Sequence, residues 1–368
     1  MLEPWLAPVN TENILDVTAL APHALYHRIQ VYEESLPDIS QIRIAVIGVN
    51  PEAADTIRSA WYPLVQTGFH SAVSDLGNVR NPNVSFLIPL MKELVASGVI
   101  PVLIGGEANY LSALYAAFLE VLPEISLTVV DERVALSPGQ DKIAENYLDN
   151  IVFHPTHPPF HVGMVGHQIH QVPEEVQAIL LKRNFSSLRL GNARAAMEEL
   201  EPVVRDADLL GFHLSAIRAA DCLGVYHPTP SGFTNEEACQ IARYAGMSDK
   251  LKTFGILGYM PNADQRYLTA QVIGQMLWYF VDGVAQRKQD FPVSIDGLTE
   301  YIVDLKDLTY SLTFWKSKRS GRWWMQIPVK TRKTHQRHRL VPCSYEDYKK
   351  ATRDELPDRL LQALRRFP

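Results

Sequence analysis

The chain is short of cysteine, of charge-free apolar runs and of repeats, and each shortage excludes a class of protein. Its three cysteines, Cys222, Cys239 and Cys343, are odd in number and widely spaced. That fits neither a disulfide framework nor a zinc site, so reduced, buried thiols are expected. Nowhere do 18 uncharged apolar residues run together, so no membrane span is expected. Met1 to Asp16 lacks both a basic n-region and an apolar h-region, which speaks against a secretory signal. A cytoplasmic protein is the expectation. No low-complexity tract or internal repeat interrupts the chain, and 46% hydrophobic content over 368 residues suffices for one large α/β domain with an appendage, or for two domains.

One stretch lacks charge of one sign. From Leu308 to Tyr345 there is no Asp or Glu, while nine Lys and Arg residues fall there, including Lys316, Lys318, Arg319, Arg322, Lys330, Arg332, Lys333, Arg337 and Arg339. The net charge of −6 therefore leaves about −15 on the remainder. Within the stretch, SLTFWKSKRSGRWWMQIPV alternates and turns at Ser320-Gly321, the pattern of a β-hairpin carrying Phe314, Trp315, Trp323 and Trp324. Basic residues interleaved with aromatics suit nucleic acid or another polyanion, with Lys316, Arg319, Arg322, Trp323 and Trp324 as the binding residues. The same charges would serve an acidic protein or a membrane surface. Alternatively, the hairpin packs its Trp residues on the acidic remainder and forms ion pairs there. Residues 346–366 close the chain with a short amphipathic helix.

What is abundant is alternation of strand and helix. β-Branched or apolar runs predict strands at Gln41–Val49, Ala72–Leu76, Ile100–Ile104, Leu127–Val130, Phe160–Val165, Ser187–Leu190, Asp208–Leu214 and Thr253–Leu257. Helices are predicted over Ala53–Val65, Val84–Ala96, Ala108–Leu122, Glu174–Lys182, Ala193–Val204, Thr234–Met247 and Asp264–Gln286, with Thr234 and Glu237 forming a capping box. Asp141 to Pro159 reads as a loop, and its His154 and His157 suggest a surface excursion rather than a metal site. Uneven connections favour an open three-layer α/β/α sheet of eight mainly parallel strands over a barrel. The expected organisation is a leader over residues 1–40, the α/β domain over 41–295 and a small basic extension over 296–368.

The run LTVVDERVALS, Leu127 to Ser137, ends a buried strand in a cluster of charge. Ligands of open parallel sheets bind beyond the carboxyl ends of the strands. Asp131 is thus either a carboxylate of a catalytic centre or one half of an Asp131/Arg133 ion pair closing the strand.

Several separated segments resemble the ureohydrolases, the arginase, agmatinase and formimidoylglutamase group. They are Ala54-Asp55-Thr56-Ile57-Arg58, the VSDLGNV run from Val73 to Val79, Pro230-Ser231-Gly232-Phe233-Thr234 with Glu237, and Tyr259-Met260-Pro261 with Asp264. The resemblance spans about Gln41 to Pro292 and implies an arginase-like eight-stranded fold. It also implies that the chain departs from the family where two manganese ions are held. The family's GGDHS loop reads Gly105-Gly106-Glu107-Ala108-Asn109, its DAHxD strand end reads Asp131-Glu132-Arg133-Val134-Ala135, and its SxDxDxxD strand end reads Gly211 to Arg218. Ala108 and Arg133 replace histidines, Ala135, His213, Ser215 and Arg218 replace aspartates, and only Asp131 keeps its ligand type. Gly258 stands where the substrate-guanidinium carboxylate is expected.

Two divalent ions held about 3.5–4 Å apart need several carboxylates, and a guanidinium is a permanent cation. The expectation is therefore a catalytically degenerate pseudoenzyme, with no catalytic residue, no metal and no cofactor, acting as a binding or scaffold module. Its degenerate positions are Glu107, Ala108, Asp131, Arg133, Ala135, His213, Ser215, Arg218 and Gly258. The alternative is an amidine or guanidine hydrolase with manganese at an altered site built from Asp131, His213 and Glu107. Arg133 and Arg218 would also suit a small anionic ligand. The resemblance further implies a homo-oligomer.

Overall fold

The computed structural model describes residues 2–65, 72–137, 146–305, 311–329 and 333–367. Two short strands, β1 (Leu6–Ala7) and β2 (Gln30–Val31), come from the first 40 residues. The next eight follow the predicted positions: β3 (Ile44–Gly48), β4 (Val73–Val79), β5 (Ile100–Gly106), β6 (Ser126–Val130), β7 (His161–Val165), β8 (Ser186–Leu188), β9 (Leu209–His213) and β10 (Thr253–Leu257). Among the described residues these ten strands form one open sheet in the order β1-β4-β3-β5-β10-β9-β6-β7-β8, with β2 also on β4. All pairings are parallel except that of β1 with β4. The sequence suggests only eight strands because two-residue strands are too short to show a period. Both extra strands pair along one edge of β4, Leu6 opposite Val79 and Gln30 opposite Ser74, and supply its outer backbone partners.

Every residue of β3, β4, β5, β6, β7 and β10 is buried. Continuous apolar strands are stable only when both faces are covered. Two apolar clusters provide the cover. One holds α1 (Pro51–Trp61) and, further along the chain, the helices over Asn235–Met247 and Leu268–Ala285. The other holds α2 (Val84–Ala96) and α3 (Tyr110–Phe118). Between strands, α4 (Asp149–Val152) lies in the predicted Asp141–Pro159 loop, whose residues up to 145 fall outside the described ones. After α5 (Glu174–Lys182), the helix expected over Ala193–Val204 is two helices, α6 (Leu190–Ala195) and α7 (Leu200–Arg205), parted by Ala196 with φ of −148°. The helices over Asn235–Met247 and Leu268–Ala285 are α8 and α9. α8 carries the expected Thr234/Glu237 capping box. α9 starts at Leu268, not Asp264, because Arg266 and Tyr267 are left-handed and Asp264 instead accepts from the backbone N–H groups of Thr269 and Ala270, each at 2.9 Å.

The segments that carry the family resemblance hold this fold together. Arg58 is fully buried and uses its whole fork. Nε and Nη2 donate to Asp75 at 2.8 and 2.9 Å, Nη1 to Asp55 and Asn78 at 2.8 Å, and Nη2 also to the Gly77 carbonyl. Asp264 likewise accepts from Tyr259 Oη at 2.9 Å. A Cβ on Gly232 would lie 2.5 Å from the Arg218 nitrogen, so only glycine fits there.

The C-terminal extension is an antiparallel sheet, β11 (Leu298–Val303), β12 (Leu312–Ser317), β13 (Trp323–Gln326) and β14 (Leu340–Cys343), followed by α10 (Tyr345–Thr352) and α11 (Asp358–Leu364). β12 and β13 form the expected hairpin, Lys316 opposite Trp323. β14 is masked in the sequence by Pro342, which is tolerated because the strand lies at the sheet edge. One closing helix becomes two, separated by Asp354 at φ 63° and by Pro357.

Three of the residues expected to bind a partner through this hairpin face inward. Trp323 and Trp324 are 7% and 1% exposed. Arg205 of α7 lies 4.3 Å over the Trp324 ring and donates through Nη2 to the Trp323 carbonyl at 3.1 Å. Arg322 pairs with Glu201 at 3.2 Å. Arg337 and Arg366 pair with Asp208 and Asp206 at 2.5 and 2.6 Å. Burying an indole is worth about 2–3 kcal/mol and the cation over it about 1 kcal/mol more, which is why these aromatics are core and not a stacking platform. Lys316 lies 5.2 Å over Trp323, and Lys318 and Arg319 are exposed. Lys330 and Arg332 fall outside the described residues.

Candidate functional site

The carboxyl ends of β6, β9 and β10 bring Asp131, His213, Ser215 and Gly258 into one cluster. Asp131 is 1% exposed. Ser215 Oγ donates to its Oδ1 at 2.8 Å, and the Glu132 backbone N–H donates to the same oxygen at 2.7 Å. Tyr147 Oη donates to Oδ2 at 2.6 Å. Both carboxylate oxygens are thus engaged, and a buried carboxylate needs such donors.

His213 completes the cluster from the end of β9. Its Nδ1 is 2.5 Å from Ser215 Oγ and 3.7 Å from Asp131 Oδ1. Because the Ser215 proton goes to Asp131, the hydroxyl oxygen accepts from His213 Nδ1–H, and that bond sets the tautomer with Nε2 as the acceptor. Burial, aided by the Arg133 guanidinium and opposed by Asp131, holds the imidazole below its usual pKa. The Tyr147 ring stacks on it at 6.1 Å and 9°. Gly258 has φ of 87°, and a Cβ there would fall 2.9 Å from His213 Nε2. The imidazole therefore fills the space beside the residue that the resemblance assigns to the substrate-binding carboxylate.

Burial and then Asp131 push the Tyr147 phenol well above its ordinary pKa, so it remains a neutral donor. Glu132 is 8% exposed. Burial, and next the Asp131 charge, raise its pKa to about 7, opposed by Arg133 and a bond to Thr229. Arg133 is half-buried, and its charge is felt at His213, Tyr147 and Glu132.

Other predicted positions do not join. Glu107 is exposed, Ala108 half-buried and Ala135 buried. The trio Asp131, His213 and Glu107 does not assemble. Among the described residues, no group of three or more His, Cys, Asp or Glu side chains is placed to hold a metal ion. Arg218 pairs with Asp221 at 3.0 Å and, with Arg194, lines a groove of about 440 Å³ that also takes in Leu190 and Pro230 to Gly232. Tyr147 is the member of the Asp131 cluster that sequence reasoning misses. The available signal was apolar spacing in a polar loop: Tyr147, Leu148, Ile151 and Val152 are all buried.

Comparison with solved structures decides the fold. Trypanosoma cruzi formiminoglutamase with Mn2+ aligns at a TM-score of 0.61 and 16% identity, over 69% of this chain and 97% of that one. The chain has the ureohydrolase fold. Bacillus subtilis formimidoylglutamase aligns at 0.61 and 14% identity over 76% of this chain and 99% of its own. The agmatine ureohydrolase of Thermoplasma volcanium aligns at 0.55 and 16% over 72% and 95%. No family model matches the sequence, and no curated protein does.

Within the ureohydrolase fold, the residues present do not suit a pair of divalent ions. Hard cations need several anionic oxygens with free lone pairs. Here Asp131 already accepts three bonds, burial and the Asp131 charge push Glu132 beside it up to about 7, His213 has its Nδ1 committed to Ser215, and a guanidinium is nearby. Among the described residues, no helix is long and apolar enough to cross a membrane.

Proposed function

We propose that this chain is a ureohydrolase-fold protein that has given up hydrolysis and works as a binding or scaffold module in the cytoplasm. What carries the reading is the set of bonds to Asp131, in which the Tyr147 and Ser215 hydroxyls and the Glu132 N–H stand where metal ions would have to coordinate. Hydroxyl donors satisfy a buried carboxylate without any cation. Arg133 supports the same conclusion, because a fixed positive charge felt at His213, Tyr147 and Glu132 also repels a cation in that cluster.

The reading is tested with arginine, agmatine and formimidoylglutamate as substrates and excess Mn2+. No turnover is expected with any of them. Turnover that disappears in Asp131→Ala would mean an active amidine or guanidine hydrolase with a rebuilt metal site, and the proposal would fail. A homo-oligomer of the kind the resemblance implies belongs to this reading, and light scattering on the intact chain tests it.

A further inference from the structure

We propose that the amino edge of the main sheet carries a site for a compact, multiply charged phosphate, held by Arg43, Lys252 and Arg287. This edge is the end of the sheet opposite to Asp131, so the assignment stands whether or not the cleft is silent.

The topology puts the three cations together. Arg43 immediately precedes β3 and Lys252 immediately precedes β10, and each of these strands pairs with β5. Arg287 comes from the end of α9 and is fixed before any ligand arrives, its Nε donating to the Gly246 carbonyl at 2.8 Å and its Nη2 to the Leu251 carbonyl at 3.1 Å. Leu251 is the residue before Lys252, so the guanidinium is anchored to the backbone beside the lysine. Arg319 of the extension joins the rim, resting on the Lys288 and Gln289 carbonyls at 3.5 and 3.4 Å.

The acids whose charge reaches Lys252 and Arg287, namely Asp208 and Asp249, are turned inward, as is Asp290 beside Asp249. Asp208, Asp249 and Asp290 are 0%, 6% and 2% exposed. Asp208 accepts from the Ser126 N–H and Arg337, Asp249 from the Asp290 N–H, and Asp290 from Ser317 Oγ. Arg43 and Arg319 are exposed, whereas Lys252 and Arg287 are half-buried. The cluster's own side chains that reach the surface are therefore cationic. Like charges gathered near a surface repel one another. The strain shows in the cations themselves. Burial and then the charge of Arg43 push the Arg287 guanidinium down to about 9, and burial with Arg287, Arg337 and Arg43 lowers Lys252 against the pull of Asp208. An anion would relieve that repulsion, and a preorganised guanidinium beside an ammonium suits phosphate oxygens. Trp323 and Trp324 are buried and cannot stack on a base, and this favours a compact phosphate over a single-stranded nucleic acid.

The test is calorimetry on the full chain at low salt with sodium tripolyphosphate, beside inorganic phosphate and a short DNA duplex. Tripolyphosphate is expected to bind, with Arg43→Ala and Lys252→Met each weakening it about tenfold, the loss of one charge-assisted contact. The affinity should fall as salt is raised. Arg43 is exposed, so Arg43→Ala and Arg43→Glu remain informative if Lys252→Met does not fold. No heat and no thermal shift with tripolyphosphate would overturn the proposal. So would unchanged affinity in Arg43→Glu, or duplex binding that tripolyphosphate does not displace.

Discussion

The His213 imidazole rests on Gly258, with Nε2 only 2.9 Å from where a Cβ would stand. The two positions are therefore coupled: a side chain at 258 and a ring at 213 cannot share the space. Gly258→Glu, which restores the carboxylate implied by the resemblance, should destabilise the fold by at least about 2 kcal/mol, part from overpacking and part from a left-handed backbone. Adding His213→Gly should recover about 1 kcal/mol, the steric part alone. Urea denaturation of the two variants checks this, and equal losses would show that the ring yields freely.

Tyr147→Phe removes a donor from a buried carboxylate while keeping the stacked ring. The expected loss is about 1.5–3 kcal/mol, the range for a hydrogen bond to a charged group. The phenol also sets an alkaline limit. Its folded pKa lies above its unfolded value, so its contribution is intact below pH about 10 and is lost above it, as the unfolded chain ionises first. Denaturation midpoints at mildly and strongly alkaline pH should converge for wild type and Tyr147→Phe.

Acid acts at a different place. His161 and His338 lie where the extension meets the main sheet, His338 Nδ1 3.4 Å from Lys250 Nζ and its ring stacked 4.2 Å from Phe160. Burial is the main force holding both well below their usual pKa. Arg366 and Lys250 add to it at each site and Arg337 at His338, while Asp206 opposes at both. Depressed histidines stabilise the fold above their unfolded pKa of about 6.5 and lose that contribution as pH falls. Glu132, raised to about 7, has the opposite sign: its contribution is complete below the unfolded carboxyl pKa and fades as pH rises toward 7. Stability between pH 7 and 5 should therefore fall less steeply in His338→Gln and more steeply in Glu132→Gln than in wild type, as read by thermal unfolding.

The order of strands and helices was legible because buried parallel strands leave continuous apolar runs, as in Leu127 to Val130. The resemblance was legible at Arg58, Asp75, Gly232 and Asp264 because each has a structural task that tolerates no other residue: a fully used guanidinium fork, its bidentate partner, a crowded turn and a helix cap. The departures from the ureohydrolase motifs were equally plain at Ala108, Arg133 and Ala135. What filled the space was not. Tyr147 reaches Asp131 from a loop with no motif, and His213 meets Gly258 only because β9 and β10 are neighbours. The inward face of Trp324 was hidden for a similar reason, since Arg205 lies more than a hundred residues earlier and no local pattern links them.

The most direct measurement is the metal content of the purified chain after incubation with Mn2+ and desalting, by elemental analysis. The account predicts no retained manganese, and none regained in Tyr147→Phe, because Arg133 and the Ser215 bond to Asp131 remain. Stoichiometric manganese in the wild-type chain would contradict it and would mean that the Asp131 cluster reorganises around a cation.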